Sequence, residues 1–376
     1  RYINMKKKLL IFHSALAPYR INFFNKLSEE FSATIVFLSD NLRNQNFNRA
    51  NLLAQITFTP HYLKHKIVIN DRDINFGYSS YIFKVQPDII IGGEYGLPTV
   101  IPFLIKKIFR KKYKIYTICD DSVQMSVNCG KIRSIFRHFL APRLDGIIVV
   151  SPNTADWYRS HFTLKSNPII FPILQEEITF RKKLHLALPL SKQFIKKWQL
   201  NNKKAWLFVG RLVEIKGLDR VLKAFASAKI DTDTVLILVG EGELLETLKS
   251  QAKNLKISDR VLFVGRYEDI ELLAWYNIGS NLILASHQEA FGAVVNEALI
   301  SGCQVLCSSR AGACCLIQDD VNGYIFDTYN HDDFSEKISI MSRKMPPINE
   351  SNTEIKPSLM IEDFNMNIEN LIHQLY

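Results

Sequence analysis

The sequence predicts an α/β protein built from two Rossmann-like domains, and three observations lead to this. Its 376 residues amount to about twice the length of a typical domain. Short apolar runs of strand length alternate with stretches of helical spacing. The alternation stops in a polar, basic stretch at 173–204 and restarts at Trp206. We therefore predict a first domain over 1–175, a second over 176–345, and a segment at 346–376 whose helix crosses back to the first domain.

The first domain begins with an apolar strand and continues as alternating strands and helices. Leu9–Phe12 has the character of a first strand, and Tyr19–Phe31 has the spacing of a helix. The further strands predicted here are Ala33–Leu38, Ile67–Ile69, Ile89–Ile91, Lys114–Ile118 and Gly146–Val150. Because continuous apolar strands are typical of a sheet covered on both faces, we predict that they run parallel. Pro168–Pro172 is predicted as an extended connection, and 173–204 as a linker with one helix at Leu190–Gln199.

The second domain repeats the alternation with clearer glycine punctuation. The strands predicted in it are Trp206–Val209, Val235–Val239, Val261–Val264, Asn281–Ala285 and Gln304–Cys307. The helices between them are predicted at Leu218–Ala228, Glu243–Asn254, Ile270–Tyr276 and Ala293–Ser301. Strands and helices that alternate in this way are typical of a parallel sheet with helices on both faces.

Composition places the chain among globular proteins. Hydrophobic residues make up 47% of it and charged residues 22%, and no apolar run approaches the roughly 18 residues of a spanning helix. The basic start resembles a signal peptide, but His13 ends the apolar run after four residues, which favours a buried first strand. The six cysteines lack a zinc-binding spacing and are expected to be buried and reduced. We expect a cytoplasmic protein.

The net charge of +10 is distributed unevenly along the chain. Residues 1–200 carry 30 Lys and Arg against 13 Asp and Glu, whereas residues 201–376 carry 17 against 24. The densest basic cluster, 106–114, is interleaved with Phe109 and Tyr113, which suits an anionic membrane surface such as the inner face of the cytoplasmic membrane. An ordinary solvated helix end is the alternative. No nucleic-acid partner is expected, because no binding motif accompanies the charge.

The strongest local signal follows the first strand of the second domain. Gly210 permits a tight turn there, and Arg211 and Lys216 place two cations at the carboxyl edge of the sheet, where open α/β sheets bind ligands. Arginine offers a planar fork to phosphate oxygens and lysine a movable charge, so the pair suits a diphosphate leaving group. A loop closed by a salt bridge to Glu214 is the structural alternative.

A second signal follows a later strand of the same domain. Glu289 lies in a loop, Gly292 opens a helix whose amides would face a phosphate, and Glu297 lies one and a half turns into that helix. A carboxylate on an inward helix face needs hydroxyl or cationic partners, and ribose hydroxyls are candidates. Alternatively, Glu297 is a surface charge. Gly265 and Arg266, after another strand, are positioned to approach a base or ribose, although an ordinary turn explains them equally well.

These motifs, in this order, closely resemble retaining glycosyltransferase family 4, whose fold is called GT-B. The resemblance covers 206–330, about a third of the chain. It is carried by Gly210-Arg211 with Lys216-Gly217, Gly240-Glu241-Gly242, Phe263-Val264-Gly265, Glu289 and Glu297 with seven residues between them, Ala311-Gly312 and Asn322-Gly323. It implies two Rossmann-like domains facing each other across a cleft, with the acceptor bound by the first and the nucleotide sugar by the second.

The resemblance also implies roles for residues of the second domain. Arg211 and Lys216 would hold the donor diphosphate, Glu289 would contact the sugar hydroxyls near the reacting centre, and Glu297 would bind the ribose. The backbone of Phe291, Gly292, Ala293 and Val294 would cap the phosphates and sugar. Members of the family transfer a hexose with retention, by front-face attack and without a bound metal. Asp231-Thr-Asp233 matches a metal-binding DxD in letters but precedes a strand and is expected to be solvated.

The implied activity is transfer from a nucleotide-diphosphate sugar to a glycan or lipid-linked acceptor in bacterial surface polysaccharide synthesis. The nucleotide sugar is a substrate, and no cofactor is expected. The alternatives are a nucleotide-sugar epimerase of the same fold, or a non-catalytic protein that binds nucleotide sugars or anionic surfaces.

The first domain departs from the family pattern in two places. The usual glycine-rich loop is replaced by 14–18, and Asp120 and Asp121 follow a strand where many members place a histidine. Asp120 is the candidate base, and an N-cap or turn carboxylate is the alternative for both aspartates. The remaining candidates for the acceptor side are His13, Tyr19 and Glu94.

Overall fold

The computed structural model describes residues 6–41, 47–63, 65–69, 72–351 and 353–376. They form two compact units: Arg1–Ile173 with Asn365–Tyr376, and Leu174–Phe364. We call these units domain one and domain two. Both are parallel α/β sheets, as the sequence predicts.

Domain one is built on a sheet with the strand order β3-β2-β1-β6-β7-β8-β9, all pairs parallel. The strands of the domain are β1 (Lys8–His13), β2 (Ser32–Phe37), β3 (His61–Tyr62), β4 (His65–Ile69), β5 (Arg72–Phe76), β6 (Ile89–Gly93), β7 (Lys114–Cys119), β8 (Gly146–Val149) and β9 (Ile169–Ile170). Its helices are α1 (Ile21–Glu30), α2 (Arg49–Leu53), α3 (Tyr78–Val85), α4 (Leu97–Ile108), α5 (Val123–Val127), α6 (Lys131–Leu140) and α7 (Pro152–His161). Strand order reverses between β1 and β6, which places a topological switch point at their carboxyl ends.

Two predictions for domain one need correction. The strand predicted at Ile67–Ile69 is real, but it pairs antiparallel with β5 in a separate hairpin rather than within the parallel sheet. Only two residues of sequence separate β4 from β5, a spacing typical of hairpins. The connection predicted at Pro168–Pro172 contains β9, a two-residue edge strand whose flanking prolines keep it short.

Domain two has the strand order β12-β11-β10-β13-β14-β15, again all parallel. Its strands are β10 (Lys204–Val209), β11 (Thr234–Val239), β12 (Val261–Gly265), β13 (Asn281–Leu284), β14 (Gln304–Ser308) and β15 (Gly323–Phe326). Its helices are α8 (Glu177–Lys197), α9 (Leu218–Ser227), α10 (Leu245–Asn254), α11 (Asp269–Ile278), α12 (Ala293–Ile300) and α13 (His331–Arg343). The switch point of this sheet lies between the neighbouring strands β10 and β13.

The region predicted as a linker with one helix at Leu190–Gln199 is instead the 21-residue helix α8. The helix starts where the Glu176 carboxylate accepts hydrogen bonds from the amides of Ile178 and Thr179. Its buried side, which includes Leu184 and Phe194, packs on α11. The prediction failed because Pro189 inside the helix and its many lysines masked the helical periodicity.

The chain ends in α14 (Phe364–Leu375), which packs within domain one. Ile368, Leu371 and Leu375 of this helix are fully buried. Tyr376 stacks on Phe31 with ring centroids 5.0 Å apart. No helix among the described residues has the length and apolar character needed to cross a bilayer.

Candidate active site

The loops at the carboxyl edge of the domain two sheet pack backbone against backbone. Gly210 follows β10 with φ 151°, and Gly240 follows β11 with φ 157°. A Cβ on Gly240 would lie 1.8 Å from the Gly210 carbonyl oxygen, so this position admits no side chain. The Gly240 amide donates to the Gly265 carbonyl at 2.8 Å, which ties in the loop after β12. The edge is therefore a close-packed backbone platform beside the switch point.

Lys216 and Glu289 meet at this edge although they are far apart in sequence. Their side chains form an ion pair, and each is only 16% exposed. The Ser286 hydroxyl donates to the same Glu289 oxygen, Oε2, at 2.9 Å. The loops that carry the pair are joined by a hydrogen bond from the His287 amide to the Ile215 carbonyl at 3.0 Å. The partner of Lys216 is therefore Glu289, not the Glu214 of the structural alternative.

Arg211 directly follows Gly210, where a Cβ would lie 3.9 Å from Lys216 Cε, and it is half-buried. Among the residues that the structure describes, no hydrogen bond or ion pair engages its side chain. A guanidinium that is partly withdrawn from water and has no protein partner is available to an anion.

Helix α12 begins at the same edge with its amide groups uncapped. Gly292 has φ 101°, a left-handed conformation, and a Cβ there would lie 2.6 Å from Leu284 Cδ2. Within the described part of the chain, no side chain caps the first turn, which starts with Ala293 and Val294, both partly exposed. Phe291 is buried and its carbonyl accepts from the Ala313 amide at 2.8 Å. Free amides and the helix dipole make this end suitable for a phosphate.

Glu297 lies one turn deeper on α12 and is held by a tyrosine. The hydroxyl of Tyr276, which is fully buried, donates to Glu297 Oε2 at 2.9 Å. Burial raises the pKa of Glu297 to about 7, and the hydrogen bonds from Tyr276 and Gln175 oppose that rise. Glu297 is thus a partly exposed carboxylate that accepts a hydrogen bond from a buried hydroxyl, rather than an isolated surface charge. No local sequence pattern identified Tyr276 or Gln175 as its partners.

Gly265 and Arg266 lie at the outer end of the same edge. Gly265 ends β12 with φ 90°, and a Cβ on it would stand in open space. Arg266 forms an ion pair with Glu268, and its side chain is 43% exposed. The predicted contact with a base or ribose stays a prediction for both residues.

In domain one, the predicted acceptor-side residues follow three neighbouring strands. His13 ends β1, Glu94 follows β6, and Asp120 and Asp121 follow β7. Burial lowers the pKa of His13 to about 4, so its ring is neutral at pH 7, and Nδ1 lies 3.0 Å from the Ala15 carbonyl oxygen. Tyr19 lies in the short helical turn Pro18–Arg20 that follows β1.

Three arginines that were not among the predicted site residues hold these carboxylates. The buried Arg20 pairs with Asp120 at 2.5 Å. Arg133 of α6 bridges Asp121 at 2.6 Å and Glu94 at 3.0 Å. Arg137, one turn further on, lies 3.3 Å from Asp121. The N-cap of α5 is Ser122, so neither aspartate caps the helix that follows them.

The carboxylates of this cluster differ in how readily they hold a proton. Burial raises the pKa of Glu94 to about 7 against the opposing effect of Arg133. Burial also raises the pKa of Asp121, with Arg133 and Arg137 opposing it. No group of three or more His, Cys, Asp or Glu side chains with metal-binding geometry occurs among the described residues.

This chain is similar in sequence and in fold to known proteins. Residues 191–350 match the family described as glycosyl transferases group 1. The match covers 160 of the 376 residues, and the chain has a GT-B fold. The chain is similar over 98% of its length to the structure of HepE from Anabaena in complex with UDP, with a TM-score of 0.72 and 14% identity over 99% of that chain. The predicted fold class, two parallel α/β domains of the GT-B type, is confirmed.

Two curated relatives are named for their own reactions. One is the N-acetyl-alpha-D-glucosaminyl L-malate synthase of Bacillus anthracis, 24% identical over 71% of this chain and 71% of the relative. Another is the alpha-monoglucosyldiacylglycerol synthase of Streptococcus pneumoniae, 27% identical over 67% of this chain and 56% of the relative. Each of these matches covers more of the chain than the family match at 191–350 does.

Proposed function

We propose that this protein is a glycosyltransferase that moves a hexose, with retention of anomeric configuration, from a nucleoside-diphosphate sugar to a glycan or lipid-linked acceptor in bacterial surface polysaccharide synthesis. The observation that carries the proposal is the Lys216–Glu289 pair beside the uncapped start of α12 at the domain two switch point. Solved structures of HepE with UDP and with UDP-glucose make UDP sugars the first donors to test.

The donor would lie along the carboxyl edge of the domain two sheet. Arg211 and Lys216 neutralise the diphosphate, and the first amides of α12 donate to it. Glu297 accepts hydrogen bonds from the ribose hydroxyls, a role that fits a carboxylate whose protein partners are neutral donors. These protein cations supply the charge that a metal ion would otherwise provide, so we propose a metal-independent reaction.

The chemical step breaks the bond between the anomeric carbon and the diphosphate oxygen. The acceptor hydroxyl oxygen bonds to the same face of that carbon, and its proton passes to the departing phosphate oxygen. Negative charge grows on the leaving diphosphate, and Arg211 and Lys216 stabilise it. Glu289, held by Lys216 and Ser286, accepts a hydrogen bond from a sugar hydroxyl and orients the ring.

The acceptor would bind at the carboxyl edge of the domain one sheet. Asp120 is fixed by Arg20, which suits it to position an acceptor hydroxyl. Burial raises the pKa of Glu94 to about 7, so this carboxyl can exchange a proton at neutral pH. His13, Tyr19 and Asp121 complete this side. The basic first half of the chain supports an acceptor at the inner face of the cytoplasmic membrane.

The test is release of the nucleotide from a panel of UDP and GDP sugars by the purified full chain, with and without extracts of bacterial lipid-linked glycans. We expect Arg211→Ala, Lys216→Ala and Glu289→Gln each to lower turnover by about a hundredfold or more. Lys223→Ala, which removes an exposed cation on α9, is the matched control. Wild-type rates in the Arg211 and Glu289 variants would refute the site, and inversion of the anomeric centre in the product would refute the retaining step.

A further inference from the structure

Helix α6 is amphipathic, but its apolar side faces solvent. Ile132, Ile135, Phe136 and Phe139 are spaced at three, four and seven residues, which places them on one helix face. Their exposed fractions are 70%, 68%, 37% and 47%. A helix that only covered its own domain would bury such a stripe.

The opposite side of α6 is charged and points into domain one. Arg133 and Arg137, four residues apart, reach the carboxylate of Asp121, which is 2% exposed. Arg137 also donates to the Ser126 carbonyl at 2.6 Å. Turning the apolar stripe inward would strip a buried carboxylate of both cations, so the ion pairs fix the outward orientation.

The stripe continues onto the neighbouring helix α4. The ring of Phe139 meets that of Phe103 edge-on, with centroids 5.8 Å apart. Beside Phe103, the side chains of Leu104 and Ile108 are 46% and 70% exposed. We call Ile132, Ile135, Phe136, Phe139, Leu104 and Ile108 the α6–α4 apolar surface. A contiguous exposed patch of this kind is typical of an interaction site.

The charge around this surface selects its partner. The segments 97–119 and 122–144 contain ten Lys and Arg and not one Asp or Glu. Six of the ten are exposed, namely Lys107, Arg110, Lys112, Lys114, Lys131 and Arg143. The Arg143 guanidinium lies 4.5 Å from the Phe139 ring centroid, and the Lys107 ammonium lies 5.8 Å from that of Phe103. Cations that surround bulky apolar side chains match a lipid interface with anionic headgroups, whereas a dimer would bring these like charges together.

We propose that the α6–α4 apolar surface docks on an anionic lipid bilayer, with its apolar side chains at the boundary of headgroups and acyl chains and the flanking cations at the lipid phosphates. This deepens the membrane-side acceptor of the proposed function and rests on it. It extends the predicted contact from the basic cluster at 106–114, which contributes Lys107 and Ile108, onto α6. Lys106 of that cluster is paired with Asp145 at 2.8 Å.

The experiment is flotation of the full chain with vesicles of phosphatidylcholine alone, and with vesicles in which one lipid in three is phosphatidylglycerol. The variant is Ile132→Ser/Ile135→Ser, and its matched control is Ile178→Ser/Leu186→Ser on α8 of domain two, at 64% and 70% exposure. We expect wild type to float with the anionic vesicles, the variant to bind them about tenfold or more weakly, and the control to match wild type. Thermal melting verifies that all three chains fold alike.

Three results would overturn the proposal. These are no flotation of wild type, an equal loss in variant and control, or a lipid-free dimer in light scattering that only the α6 variant abolishes. The dimer would assign the surface to a second copy of the chain. Nucleotide release is measured on the same samples. Release of nucleotide by a protein that does not float with the vesicles would refute only the docking proposal. Flotation of a protein that releases no nucleotide would refute only the proposed glycosyl transfer.

Discussion

Replacing Tyr276 with Phe removes one oxygen atom from the buried partner of Glu297 and leaves the ring packing in place. The lost hydrogen bond joins Tyr276 Oη to Glu297 Oε2 at 2.9 Å. A hydrogen bond to a charged group contributes about 1.5–3 kcal/mol, and each 1.4 kcal/mol is about tenfold in affinity. Burial raises the pKa of Glu297 to about 7 even though that bond lowers it, so loss of the bond raises the pKa further. The variant therefore holds less of the ionised carboxylate at pH 7.

We expect Tyr276→Phe to weaken UDP binding by about ten- to a hundredfold at pH 7, and by less at pH 9, where the carboxyl ionises again. Isothermal titration with UDP and with its 2′,3′-dideoxy analogue isolates the ribose contact, because the analogue lacks the hydroxyls that Glu297 would accept from. Tyr158→Phe, at an equally buried tyrosine of domain one, is the control. Equal losses for UDP and the analogue would refute a role through Glu297, and equal affinities of wild type for both would refute the ribose site itself.

Three further predictions concern the stability of domain two. Gly240→Ala places a Cβ 1.8 Å from the Gly210 carbonyl oxygen. We therefore expect the free energy of unfolding, measured by thermal unfolding, to fall by about 3 kcal/mol or more. Gly130→Ala, where the Cβ would lie in open space, is the control and should unfold like wild type. Glu297→Gln removes a carboxyl whose folded pKa lies above its unfolded value of about 4.5, so wild type loses stability as pH rises from 4.5 to 7. Denaturant titration should find the variant more stable than wild type at pH 8, by up to about 3 kcal/mol, and equal to it at pH 4. A stability difference that is the same at both pH values would contradict the raised pKa of Glu297. Lys356→Met removes the ammonium group that donates to the carbonyls of Tyr276, Asn277 and Gly279. We expect the free energy of unfolding to fall by about 2 kcal/mol, and an unchanged melting temperature would contradict that expectation.

The fold was predictable where local patterns decide it. Apolar strands such as Trp206–Val209 are buried on both faces and are recognisable as continuous runs. The loops at the sheet edges were equally visible, because Gly210, Gly240 and Gly292 are positions that a side chain cannot occupy without strain or overlap.

The features that the sequence did not predict depend on contacts between distant parts of the chain. Helix α8 looked polar in the sequence because lysines and Pro189 lie between its buried residues. Its packing on α11 decides which of its side chains are buried, and the sequence does not show that contact. The ion pairs of Arg20, Arg133 and Arg137 join residues between 12 and 100 positions apart, and no local pattern encodes them. Tyr276 is 21 residues from Glu297, and its hydroxyl has a partner only once α11 and α12 are folded.

The ion pairs on the inner face of α6 affect the angle at which domain one would bind to a membrane. A helix whose apolar side contacts lipid acyl chains can rotate about its own axis by some degrees at little cost in free energy, because apolar contacts are not directional. Hydrogen-bonded ion pairs are directional, and the two guanidinium groups on Asp121 fix the roll of α6 about its own axis. The angle at which the domain stands on a membrane would then be set by the same carboxylate that lies at the edge of its sheet. An engineered change of that angle would have to begin at Asp121, not at the residues that touch lipid.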